Sequence, residues 1–162
     1  MMVRISENDI KDLKQQVKDF WVNLLSSEEG YKTYYKRASG KEPGHKLSDE
    51  VDETTTQFIK ETYPERCGYQ TRNGKRLPRS MGDIWFKNEK DEWNPINVKT
   101  GLTSSKGQPN IVSLKKVMAS IMNHTIDSYY ILLVKFQVDT KNKTISPSVY
   151  LTDILNWLSL NR

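Results

Sequence analysis

Residues 80–101 read SMGDIWFKNEKDEWNPINVKTG, and the fold turns on them. Asp83-Ile84-Trp85-Phe86 is rich in β-branched and aromatic side chains and reads as a strand. Lys87 to Glu92 is a charged turn, and Pro95-Ile96-Asn97-Val98-Lys99-Thr100 reads as the next strand. Just upstream, Tyr69-Gln70-Thr71 is a short strand candidate, and Asn73-Gly74 is a strong hairpin-turn signal. Together these predict an antiparallel meander of three strands.

Working outward, Ile10, Leu13, Val17, Phe20, Trp21, Leu24 and Leu25 recur at helical spacing and predict a helix over 7–25. A short helix or turn is expected at Tyr31–Arg37, then a loop over 38–46. A second main helix is expected from Ser48 to Thr62, with Ser48 as N-cap and Asp49, Glu50, Asp52 and Glu53 at the positive end of its dipole. Its buried stripe is Leu47, Val51, Phe58 and Ile59, and Pro64 stops it.

Downstream, residues 103–110 (TSSKGQPN) form a polar loop and residues 111–122 an amphipathic helix. Tyr129–Val138 is almost wholly apolar, as expected for a central strand covered on both faces. Val149–Leu151 is another short strand, and Thr152–Leu160 a closing helix. The order α-α-β-β-β-α-β-β-α places the chain in the α/β class, a mixed sheet flanked by helices. One domain over 1–162 is expected: a helical part (1–46), a core (47–138) and a C-terminal strand and helix (139–162).

Bulk properties exclude several function classes. The chain has 162 residues, enough for one self-sufficient core. Cys67 is its only cysteine, so neither an internal disulfide nor a CxxC zinc site is available. His45 and His124 lie far apart without ligand spacing and receive no role. No apolar run reaches the roughly 18 residues of a membrane span, and the charged N-terminus is unlike a secretory signal. A soluble cytoplasmic protein is expected.

Net charge is +5, but its distribution says more. Arg66 to Gly82 holds Arg66, Arg72, Lys75, Arg76 and Arg79 with no acid, and Trp93 to Ile126 holds four lysines with no acid. Two acid-free stretches flanking Asp83 suit a polyanion.

Asp83 starts one strand of the hairpin, while Asn97 and Lys99 are two apart on the other and share a side. A carboxylate, an amide oxygen and an ammonium thus converge. Phosphodiester hydrolysis uses such a set: oxygen ligands for a divalent cation, and a lysine to orient water or hold the phosphate. On these residues the chain resembles the PD-(D/E)xK nuclease superfamily, the fold of most type II restriction endonucleases. The match is Asp83 with Asn97-Val98-Lys99, flanked by helices, over roughly 47–138. Met81-Gly82 stands where that family has a proline, and Asn97 where it usually has a second acid.

The resemblance implies a restriction-endonuclease-like core and a magnesium-dependent endonuclease, with manganese able to substitute and no other cofactor. Asp83, Asn97 and a helix glutamate would hold the metal, and Lys99 would assist water. Measured from Leu47, the stripe of Leu47, Val51 and Phe58 centres near about 30°, with Glu50 beside it at about 300°. Glu50 is therefore the expected extra carboxylate and Glu53 the second choice. Alternatively both only stabilise the helix N-terminus.

DNA contacts are expected from Arg72, Lys75, Arg76 and Arg79 around the hairpin, and from Ser104, Ser105, Lys106, Gln108 and Asn110 in the polar loop. There Gln and Asn can pair with adenine, and Lys can reach guanine or phosphate. That loop could equally be a plain connection with Asn110 as N-cap. Trp21, Trp85, Trp93 and Trp157 read as core or interface residues rather than stacking platforms.

The leading expectation is a type II restriction enzyme that cuts both strands of duplex DNA. It would act as a homodimer, with a methyltransferase as its cognate partner; the apolar face of the first helix is a candidate interface, or equally packs into the chain's own core. A structure-specific or nicking repair nuclease, or a junction resolvase, stays open. So does a nucleic-acid-binding module without catalysis.

Overall fold

The computed structural model describes residues 4–39, 44–69, 71–72, 75–76, 82–102 and 128–154, with backbone alone at 44–45, 71–72, 75–76 and 102. The helix expected at 111–122 and the chain beyond Ile154 lie outside the described residues. Three helices precede the strands: α1 (Glu7–Ser26), α2 (Glu28–Ser39) and α3 (Gly44–Thr62). The strands are β1 (Cys67–Gly68), β2 (Thr71–Arg72), β3 (Lys75–Arg76), β4 (Ile84–Lys87), β5 (Trp93–Leu102), β6 (Tyr130–Asp139) and β7 (Thr144–Asp153). A five-stranded mixed sheet runs β1-β4-β5-β6-β7, with β5 and β6 parallel and the other pairs antiparallel. The chain is thus α/β, as its pattern predicts.

α1 forms where its stripe predicts. Ser6 caps it, accepting from the Asp9 N–H at 3.2 Å, and Leu13, Val17, Trp21 and Leu25 are buried at four-residue steps. Trp21 is the hub. Its ring meets Tyr34 and Phe136 edge-on at 5.3 and 5.1 Å between centroids, and its Nε1 donates to Thr55 Oγ1 at 3.0 Å. Of the two uses expected for this face, dimer contact or the chain's own core, the described residues show the second.

Several boundaries move. The segment read as a loop over 38–46 is helical at both ends, with α2 running to Ser39 and α3 starting at Gly44. Ser48 is consequently inside α3 and not its cap, because Leu47 is already fully packed in the core. The first meander strand is Cys67–Gly68, paired with β4, while Thr71–Arg72 and Lys75–Arg76 pair antiparallel with each other in a separate two-stranded sheet. β7 is longer than its apolar triplet suggested and takes in Thr152 and Asp153, read as the start of the last helix. Pro147 lies within it, which a sheet edge tolerates, and β7 is an edge of the sheet among the described residues. β6 is central, as expected, but its burial alternates, with Tyr130, Leu132, Val134 and Phe136 facing the helices.

At the other edge, Arg66 ties three elements together. Its Nη1 and Nη2 donate to the two Asp9 carboxylate oxygens at 3.2 and 2.7 Å, and its Nε to the Lys87 carbonyl at 3.0 Å. No helix among the described residues is long and apolar enough to cross a membrane.

Candidate active site

The sheet forks beside α3. β4 begins at Ile84, opposite Ile96, while β5 runs on to Leu102. Asp83 takes up the pairing that β4 gives up: the Val98 N–H donates to its Oδ2 at 2.7 Å. Gly82 makes this possible. A Cβ there would lie 2.9 Å from the Ile84 carbonyl oxygen and 3.0 Å from both Ile96 N and Pro95 Cβ, so only glycine lets the chain pass so close to β5.

Across the fork stands the N-terminal half of α3. Asp49, Asp52, Glu53 and Thr56 face it, and with Tyr69, Asp83 and Lys99 they line a cleft of about 420 Å³. Thr100 on β5 anchors the helix, its Oγ1 donating to Asp52 Oδ1 at 2.5 Å. Asp52 is the perturbed group. Burial pushes its carboxyl up to about 6; the Thr100 hydroxyl and the Lys99 ammonium pull it down, while Asp83 and Asp49 push it further up. Three carboxylates and one ammonium thus feel one another across the cleft.

Of the residues expected from sequence, the structure brings Asp83, Lys99 and Glu53 together. It does not bring Glu50 in: that carboxylate is ion-paired with Arg37 of α2, on the other flank of α3. The reason lies in the helix phase. Leu47, Val51, Thr55 and Ile59 form the buried stripe, and Thr55 and Thr56 are as buried as the aliphatics. Counting these threonines turns the core face away from Glu50, so the acids beside the sheet are Asp52, Asp49 and Glu53. The stripe Asp49, Asp52, Glu53, Thr56, spaced at three and four, was the signal available in the sequence.

Asn97 is also absent from the cleft lining. It is 3% exposed and lies beside the Tyr129 hydroxyl. Burial raises that phenol to about 12, partly offset by the Asn97 carboxamide and reinforced by Asp83. Neither Asn97 Nδ2 nor Tyr129 Oη has a partner at hydrogen-bonding geometry among the described residues. Of the expected DNA contacts, Arg72, Lys75 and Arg76 lie on the β2–β3 hairpin, described as backbone. Arg79, Ser104, Ser105, Lys106, Gln108 and Asn110 lie outside the described residues.

The donor set is hard oxygen, which suits magnesium. Among the described residues no three of His, Cys, Asp and Glu are close enough to enclose an ion. Magnesium does not need enclosure; it keeps several waters and binds through one or two carboxylates plus substrate phosphate. Asp83 and Asp52 on facing elements fit that requirement. The chain matches no protein-family model and no curated protein.

Proposed function

We propose that the chain is a magnesium-dependent endonuclease acting on duplex DNA, in the manner of a restriction enzyme. One observation carries this reading: Asp83 and Lys99 share a single cleft with Asp52 where the sheet forks. A bound magnesium ion would supply water activation and charge neutralisation at phosphorus. Asp83, with one oxygen fixed by the Val98 amide, and Asp52, fixed by the Thr100 hydroxyl, would hold it. Glu53 and Asp49 add negative potential at the rim of the cleft.

Lys99 supplies the positive charge that four carboxylates alone would lack. Its ammonium binds a non-bridging phosphate oxygen and keeps the attacking water in line. The water oxygen forms the new bond to phosphorus and the bond to the 3′-oxygen breaks, leaving a 5′-phosphate. The proton lost by water is balanced by one gained by the departing oxygen.

Plasmid cleavage with magnesium, with EDTA, and with the Asp83→Ala and Lys99→Ala variants tests the proposal. Discrete linear fragments are expected, lost with EDTA and reduced at least about 1000-fold by either variant, the scale on which catalytic groups act. Nicked circles under the same controls would shift the reading to a nicking or repair nuclease. DNA binding without scission in any metal would leave a binding module and end the enzyme reading.

A further inference from the structure

Beside the carboxylate cleft lies a second, different cavity. It measures about 280 Å³ and is lined by Gly68, Tyr69, Trp85 and Trp93. Tyr69 is common to both cavities. We infer that this aromatic slot takes one unpaired nucleobase of the DNA strand whose phosphate lies in the carboxylate cleft, an inference that rests on the proposed nuclease reading.

Strand geometry builds the slot. Ile84 and Phe86 point into the core, so Trp85 and Lys87 point to the opposite face of β4. Gly68 pairs with Trp85, and Trp93 pairs with Lys87, which sets all four positions on that outer face at the β1 edge. Gly68 provides a floor without a side chain; even a Cβ there would come to 3.9 Å of Trp93. Tyr69 follows Gly68 around the edge and is held from the helix side by Lys60, whose Nζ stands 4.4 Å from the ring centroid. Tyr69 thus stands between the two cavities as a lining residue of each.

Three observations favour a base over other occupants. Trp93 is 48% exposed, against complete burial of Trp21, although both have the same apolar area to hide. The Trp85 indole N–H is buried and meets no acceptor among the described residues, whereas the edge of a base carries ring nitrogens and carbonyls that accept. The volume lies just under the roughly 300–1,000 Å³ of ordinary ligand pockets, room for one planar ring system rather than a folded peptide. Lys87 stands 5.4 Å from the Trp93 centroid and holds that ring from the strand side, its charge balanced by Asp91 at 3.8 Å.

The test is binding of a fluorescein-labelled oligothymidylate to the full chain in EDTA, where no cutting occurs, with wild type, Trp93→Phe and Trp93→Ala. Stacking of one base predicts about tenfold weaker binding for Trp93→Ala and near-wild-type binding for Trp93→Phe, with oligothymidylate quenching of tryptophan emission reduced in the alanine variant. Equal affinity of the folded alanine variant and wild type would overturn the inference, as would absence of any binding. The plasmid assay separates the two readings. Binding that depends on Trp93 without metal-dependent scission would retain the slot and end the nuclease reading. Scission and binding both indifferent to Trp93→Ala would end the slot alone.

Discussion

Asp9 and Asp52 are both partly buried helix aspartates beside a basic group, yet their surroundings push them in opposite directions. Asp9 is clasped through both oxygens by Arg66, and the guanidinium holds its carboxyl below the usual range against the opposing effect of burial. Asp52 receives one hydroxyl from Thr100 and only the distant pull of Lys99, while Asp83 and Asp49 repel it, and burial carries it up to about 6. The first is a completed ion pair that fastens α1 to the sheet edge. The second is a carboxylate whose charge the protein leaves under-compensated, in a cleft shared with two more aspartates. A structural pair satisfies its own charge; the Asp52 cleft leaves that demand open, as the proposed cation site requires.

Replacing Asp52 should separate the two roles most sharply. Asp52→Asn keeps an acceptor for Thr100 but removes the charge. Cleavage is expected to fall at least about 100-fold, as on losing a metal-holding oxygen. Stability in metal-free buffer at pH 7 should rise by about 1–2 kcal/mol, measured by urea denaturation. The sign follows from the raised pKa. A carboxyl that titrates higher when folded favours the fold below its unfolded value near 3.8 and loses that contribution as pH climbs through about 6. A less stable Asn variant would mean that the carboxylate is structural, and the contrast with Asp9 would fail.

Asp9→Ala should behave in reverse. The side chains of Asp9 and Arg66 are 15% and 33% exposed, so solvent screens the pair and a loss of about 1–2 kcal/mol is expected at pH 7. Cleavage per folded molecule should not change. Because the folded pKa is depressed, the stabilisation is present above the unfolded value near 3.8 and is lost as pH falls through the folded one. Wild type should therefore lose stability more steeply than Asp9→Ala below about pH 4. Parallel acid limbs would show that the clasp contributes nothing.

The sequence makes one of these helices far easier to read than the other. In α1 every buried position from Leu13 to Leu25 is apolar, so the stripe states its own phase. In α3 the stripe passes through Thr55, which looks polar in sequence but is fully buried because Trp21 Nε1 needs an acceptor there. That contact spans distant parts of the chain and leaves no local trace. The fork was legible in part because Asp83 and Lys99 flank one short hairpin, close in sequence as in space; the period of two that joined Asn97 to Lys99 failed where Asp83 leaves the strand pairing. Trp93, read as a core or interface residue, lies outside the core, and the sequence could not separate the two because an outward-facing aromatic on a strand has the same local pattern as an inward one.

Glu50 and Glu53 give the smallest and most discriminating comparison, because one helical turn carries both. Glu50 is 45% exposed and paired with Arg37, so Glu50→Gln should cost less than about 1 kcal/mol and leave cleavage as in wild type. Glu53 lines the cleft with Asp83 and Lys99, so Glu53→Gln should lower cleavage several-fold, with no more effect on stability. The ratio of the two cleavage rates thus reports the rotational phase of α3. If Glu50→Gln were the damaging change, the Arg37 pair would have to open and the helix present its other flank when DNA binds. Asp52 would then leave Thr100, and the stability gained by Asp52→Asn in urea denaturation should disappear once DNA is present.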